Sequence, residues 1–199
     1  GLTETCASTC MSFMEDPESG VVGGPLVNVK IKLKDVPEMN YLSTDNPPRG
    51  EIWVWSPCVM DGYFMNPEKT AECFDGKWFF SGDIGMIANN GSIKIIDRAK
   101  NIFKLSQGEY IAPEKIENIY IQSQYIAQLW IYGDSLRDYI ICFVSLDPDT
   151  CAKDADEEDM KKKVHADMVK LAKDNHLNSL EIPKQIFIMK EPFSVADGT

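Results

Sequence analysis

The sequence predicts an α/β chain of the α+β kind, an antiparallel β module followed by a compact α+β module. Three observations carry this. Residues 26–34 (Leu-Val-Asn-Val-Lys-Ile-Lys-Leu-Lys) alternate apolar and polar side chains, the pattern of a half-covered strand. Asn89-Asn90-Gly91 supplies a turn that tolerates positive φ between two strand-like runs, Ile84–Ala88 and Ser92–Ile96. Beyond Asp97 the period changes, and Met160, Val164, Met168 and Leu171 fall on one helical stripe.

Taken in order, 26–34 is a strand and 35–50 a loop rich in Pro, Gly, Asp, Asn, Ser and Thr. Glu51 to Trp55 alternates again, with Ile52 and Val54 on one face and Trp53 and Trp55 on the other. Both faces are apolar, so this strand is expected to be well covered. Trp78-Phe79-Phe80 reads as an aromatic strand that ends at Ser81-Gly82-Asp83, and the hairpin Asp83–Asp97 follows. Pro113 opens a helix, because its missing N–H is not needed in a first turn, and Ile116, Ile119 and Tyr120 follow at helical spacing. Residues 126–132 and 139–146 read as strands and 157–174 as a long helix. The acidic start of that helix suits the positive end of its dipole, but a solvated first turn is the preferred reading. A last strand is expected at about 185–190. The boundary between modules falls within Asp97–Asn101, which gives domains 1–97 and 98–199.

Composition narrows the class. Of 199 residues, 44% are hydrophobic and 26% charged, a globular balance, and no apolar run approaches the ~20 residues a bilayer span needs. The chain opens on Gly1-Leu2-Thr3-Glu4-Thr5 without a Met or a signal-like segment, which reads as a missing upstream part. Net charge is −11 and the cations form no stripe, which argues against nucleic acid as the principal ligand. A nucleotide needs only a few placed donors and a metal. The six cysteines contain no C-x-x-C pair and lie apart from His165 and His176, so zinc is disfavoured and reduced, buried thiols are expected.

No phosphate-loop, dinucleotide, nucleophile-elbow or zincin motif is present. Gly20-Val-Val-Gly-Gly24 lacks a Lys and leads into a strand, so it reads as a turn. Four short segments are left. Thr3 beside Glu4 can serve a magnesium nucleotide, the hydroxyl donating to a phosphate and the carboxylate taking the hard cation, or can be a plain helix start. Asp83, after a glycine that lets a ligand approach, can accept from both hydroxyls of a ribose, or can be a hairpin corner. Asp97-Arg98-Ala99-Lys100-Asn101-Ile102-Phe103-Lys104 sets three cations at the domain boundary. Its Arg can fork onto a ribose or phosphate oxygen, or join a surface ion-pair cluster. Gly108-Glu109-Tyr110 is either a close-approach loop or a connector. Singly, each has an ordinary structural reading; their order and spacing do not.

Together they resemble the adenylate-forming superfamily of acyl-CoA synthetases, adenylation domains and luciferases. Gly1–Glu4 is similar to the end of that superfamily's aromatic-Gly-x-Thr-Glu motif. Asp61-Gly62-Tyr63-Phe64-Met65-Asn66-Pro67-Glu68-Lys69-Thr70 resembles the approach to its ribose-binding motif, and Asp75–Asp83 resembles the motif itself, with Ser81 where Thr is usual. Ile95–Tyr110, with Lys104-Leu-Ser-Gln-Gly-Glu-Tyr110 continuing to Glu117, looks like the long-chain fatty acyl-CoA synthetase branch.

The resemblance implies a β-barrel-like subdomain ending a large AMP-binding domain, then a small lid domain. It implies a ligase that converts fatty acid, ATP and CoA into acyl-CoA, AMP and diphosphate through an acyl-adenylate. Its ligands would be ATP or AMP, Mg2+ and coenzyme A. Thr3 would contact the α-phosphate with Gly1 beside it, and Glu4 would bind magnesium. Asp83 would hold the ribose with Arg98 assisting, and Ile95 would wall the adenine. Lys100 would be the hinge, and Lys104 and Gly108 would approach coenzyme A. The family's adenylation Lys would lie just past Glu191–Thr199, so this chain alone is expected to be inactive. A location on the cytoplasmic side is implied, with membrane association, where present, carried by upstream segments. Another adenylate-forming ligase, or a non-catalytic nucleotide-binding paralogue, stays open as an alternative.

Overall fold

The computed structural model describes residues 1–14, 19–151 and 156–194, in two compact units, Gly1–Lys100 and Asn101–Thr199. In the first unit β1 (Cys10–Met11) pairs with β2 (Gly24–Pro25). A five-stranded antiparallel sheet follows: β3 (Lys30–Lys34), β4 (Arg49–Trp55), β5 (Phe74–Asp75), β6 (Trp78–Ile87) and β7 (Ile93–Arg98). β3 pairs with β4 and β4 with β6, while β5 and β7 share the far edge of β6. Helix α1 (Pro67–Glu72) starts with Pro in its first turn and the Asn66 side chain capping Lys69 N–H.

Ile52 and Val54 of β4 and Ile93 of β7 form this unit's core, with Ile31, Leu33 and Ile95 packed against them. The opposite face is also covered, as the two-faced pattern of Glu51–Trp55 requires. Trp53 stacks on Phe80 at 3.9 Å and is only 7% exposed, with the Lys32 ammonium 4.6 Å from its ring centroid.

The structure corrects two expectations here. Strand 26–34 begins only at Lys30, because Asn28 takes a left-handed φ of 64° that ends any extended run. The β-rich unit is not a closed barrel among the described residues. Gly23, just before β2, meets Ile93 of β7 in an isolated bridge, and Pro25 of β2 has no N–H with which to extend a ladder.

The second unit opens with a two-stranded ribbon, β8 (Phe103–Lys104) and β9 (Tyr110–Ile111), then α2 (Pro113–Tyr120). β10 (Ile126–Gly133) and β11 (Ile140–Leu146) pair antiparallel. Helix α3 (Glu157–Asp174) returns the chain to β12 (Gln185–Met189), parallel to β11. Asp156 caps α3, its carboxylate accepting Asp159 N–H. The buried stripe is Met160, Val164, Met168 and Ala172; Leu171 is only partly buried, because strict i, i+4 spacing moves the last contact one residue on. Val164, Met168 and Ala172 share one core with Ile116 and Tyr120 of α2 and Ile131, Ile140, Cys142 and Val144 of the sheet. Residues 195–199, the end of the segment read as approaching a catalytic Lys, lie outside the described residues.

All six cysteines are unpaired. The expectation of buried thiols holds for Cys142 and Cys151 but fails for Cys6 and Cys58, which sit exposed in turns. Burial pushes the Cys142 thiol up to about 12, so it stays an inert, protonated core side chain.

Candidate functional site

The first cluster is built by a distortion in β6. The strand does not end at Ser81-Gly82-Asp83, as expected, but runs through it. Between the pairs Glu51–Ile84 and Trp53–Phe80, three residues of β6 stand opposite the single residue Ile52 of β4. Such a bulge needs a residue tolerant of positive φ, and Gly82 sits at 72°. The bulge is pinned by polar bonds. Ser81 Oγ donates to Ile52 O at 2.7 Å, Asp83 N–H donates to Ser81 Oγ at 3.0 Å, and Ala99 N–H donates to Gly82 O at 2.8 Å. Ser81 thus keeps the hydroxyl of the usual Thr.

The ladder then sets Asp83 directly across from Arg98. Arg98 Nε lies 3.4 Å from Asp83 Oδ1, with the carboxylate side chain 13% exposed and the guanidinium side chain 49% exposed. An ion pair whose cation stands half in water contributes roughly 0–1 kcal/mol, so it orients Asp83 more than it stabilises the fold. Asp97, fully buried, accepts Arg98 N–H at 2.6 Å and holds the strand end. Ile95 is partly buried and packs on the core. Lys100 is exposed in the turn at the end of the first unit.

The second cluster is a single 3-10 turn, Thr3–Thr5. Thr5, 1% exposed, anchors it by donating toward Leu2 O at 3.0 Å and Ala7 O at 3.1 Å. Gly1 lies so close to this loop that a Cβ there would meet Ala7 O at 2.5 Å. Thr3 is exposed and Glu4 partly buried. Glu4 is held twice: Met60 N–H donates to its carbonyl at 2.8 Å, and Tyr63 OH donates to Oε1 at 2.9 Å. Burial first, and then this bond, push the Tyr63 phenol up to about 12. Tyr63 went unremarked as a partner of Glu4 in the sequence, although it sits inside the Asp61–Thr70 segment. No local period links residues so far apart.

In the second unit Lys104, the last residue of β8, and Gly108 of the β8–β9 loop are exposed. Leu105, 2% exposed, anchors that loop in the core, with Gly108 N–H donating to Leu105 O at 2.9 Å and Gly108 at a φ of 96°. The Lys104 ammonium lies 5.1 Å from the Tyr110 ring centroid.

This arrangement matches known proteins. Residues 1–64 match the family described as AMP-binding enzyme. The fold superposes, with a TM-score of 0.78 and 37% identity, on the A-PCP didomain of carboxylic acid reductase from Segniliparus rugosus in complex with AMP, over 89% of this chain and 25% of that one. In fold and sequence the chain is thus similar to a segment of AMP-binding enzymes. The whole chain is 43% identical to the peroxisomal long chain acyl-CoA synthetase 7 of Arabidopsis thaliana, covering 31% of it. It is also 43% identical to the long-chain-fatty-acid–CoA ligase 1 of Homo sapiens, again over all of this chain and 30% of that protein. The chain spans about a third of the length of these relatives.

Proposed function

We propose that this chain is the carboxyl-terminal part of an ATP-dependent long-chain fatty acid–CoA ligase. Its relatives' names support the substrate class, and the Asp83–Arg98 pair on the β6 bulge carries the nucleotide site. A carboxylate held near the surface by a half-exposed guanidinium is suited to accept both hydroxyls of a ribose, with the guanidinium forking onto a neighbouring oxygen.

In the reaction, a fatty carboxylate oxygen attacks the α-phosphorus of ATP, and the bond to the β-phosphate bridging oxygen breaks to release diphosphate. The thiolate of coenzyme A then attacks the acyl carbonyl, and AMP leaves with the C–O bonding pair. Thr3, exposed beside Gly1, donates to an α-phosphate oxygen, which gains charge as diphosphate departs. Glu4 would offer a carboxylate oxygen to Mg2+, a hard cation that takes oxygen ligands. The metal, when bound, neutralises phosphate charge. Ile95 walls the adenine. Lys100 is the hinge between the half-reactions, and Lys104 and Gly108 meet coenzyme A at the exposed loop. We place the full-length protein on the cytoplasmic side, with membrane association, where present, carried by upstream segments.

The test is thioester formation by the full-length protein with palmitate, acetate and coumarate. Palmitoyl-CoA as the dominant product supports the reading. A preference for coumarate or acetate moves it to another adenylating ligase, and no product with any acid contradicts it.

A further inference from the structure

We propose that Tyr63 is a positioning residue for Glu4, its hydroxyl fixing one carboxylate oxygen so that the other is presented to the divalent cation of the bound nucleotide. This rests on the reading of Glu4 given above.

The bond joins residues far apart in sequence at 2.9 Å, and the neighbouring Met60 N–H holds Glu4's own carbonyl. Main chain and carboxylate of Glu4 thus both take their position from one segment, 60–63. That segment is itself fixed. Tyr63 N–H donates to Thr70 Oγ1 at 2.9 Å, and Thr70 Oγ1 donates to Asn66 O at 2.8 Å. Asn66 in turn caps α1, and the Lys69 ammonium lies 5.0 Å from the Tyr63 ring centroid. Gly62 makes room for this arrangement, since a Cβ there would lie 2.6 Å from Thr70 Cγ2. A ring held by backbone, helix cap and cation leaves its hydroxyl little freedom to be anywhere else.

The chemistry fits the geometry. A carboxylate that has one oxygen engaged by a fixed donor loses rotational freedom before a metal arrives. Outer partners of metal ligands characteristically matter by roughly 10- to 100-fold in metal affinity or activity.

The experiment uses the full-length protein and two variants, Tyr63→Phe and Glu4→Gln. The first keeps the ring and its contact with Lys69 and removes only the hydroxyl. Binding of Mn2+ in the presence of a non-hydrolysable ATP analogue is read from the loss of the free-ion EPR signal, alongside thermal melting. The expected result for Tyr63→Phe is Mn2+ affinity weakened about tenfold, at the low end of the range for such partners, with the melting temperature and the affinity for the metal-free analogue held. Wild-type Mn2+ affinity in Tyr63→Phe overturns the inference. So does an equal weakening of metal and metal-free nucleotide accompanied by a lower melting temperature, which is the signature of a fold staple. Glu4→Gln separates the two layers. If it leaves Mn2+ binding unchanged, the reading of Glu4 as metal ligand fails, and this inference with it. If Glu4→Gln loses Mn2+ while Tyr63→Phe does not, only the role of Tyr63 falls.

Discussion

A phenol bonded to a carboxylate gives up its proton late, and Tyr63 is the residue where this can be read. Its folded value stands near 12 against the usual 10.0. The sign follows: the stabilisation is fully present below pH 10 and is lost as pH rises through 12. Ultraviolet titration is expected to show Tyr63 still protonated at pH 11, and Glu4→Gln, which removes the charge but not the burial, to bring its transition down only part of the way. Tyr120 titrates late as well, because burial raises it first and the nearby Glu181 carboxylate next. At Ser81 the hydroxyl, not the residue, is what the bulge uses. Ser81→Thr is therefore expected to be neutral in nucleotide affinity, and Ser81→Ala to cost about 1 kcal/mol of stability through the bonds to Ile52 O and Asp83 N–H. Denaturant unfolding of both variants checks this.

Among the elements, periodicity placed those whose contacts are local. The stripe at Met160, Val164 and Met168 located α3, and Pro113 located the start of α2. The site-forming features are non-local and left fainter traces. Ser81-Gly82-Asp83 carries a corner signature, yet pairing to β4 on one edge and β7 on the other overrides it and turns the corner into a bulge. The Glu4–Tyr63 bond and the Asp83–Arg98 ladder pair arise from sheet assembly, which no spacing along the chain encodes. What made Thr3, Glu4, Asp83 and Arg98 visible in the sequence was motif order. A core test follows at this scale. Met168 is fully buried in the second unit's core, so Met168→Ala is expected to destabilise by about 2–5 kcal/mol, while the exposed Lys170→Ala changes little. Equal effects in urea unfolding would contradict the packing described for α3.

For the whole molecule, the proposed function gives this chain residues for nucleotide, metal and coenzyme A, and none for the acyl chain. It spans about a third of its relatives. The 199 residues alone are accordingly expected to form no acyl-CoA; a measurable rate from them would refute that division of labour. On the proposed function, the adenylation half-reaction of the full-length protein draws on the bulge site, and it is measured by fatty-acid-dependent exchange of diphosphate into ATP. The account predicts exchange with palmitate in the parent protein and its loss by at least about a hundredfold in Asp83→Ala, with folding preserved. Palmitate-dependent exchange that survives intact in Asp83→Ala would contradict the nucleotide site, and no exchange with any acid would contradict the synthetase itself.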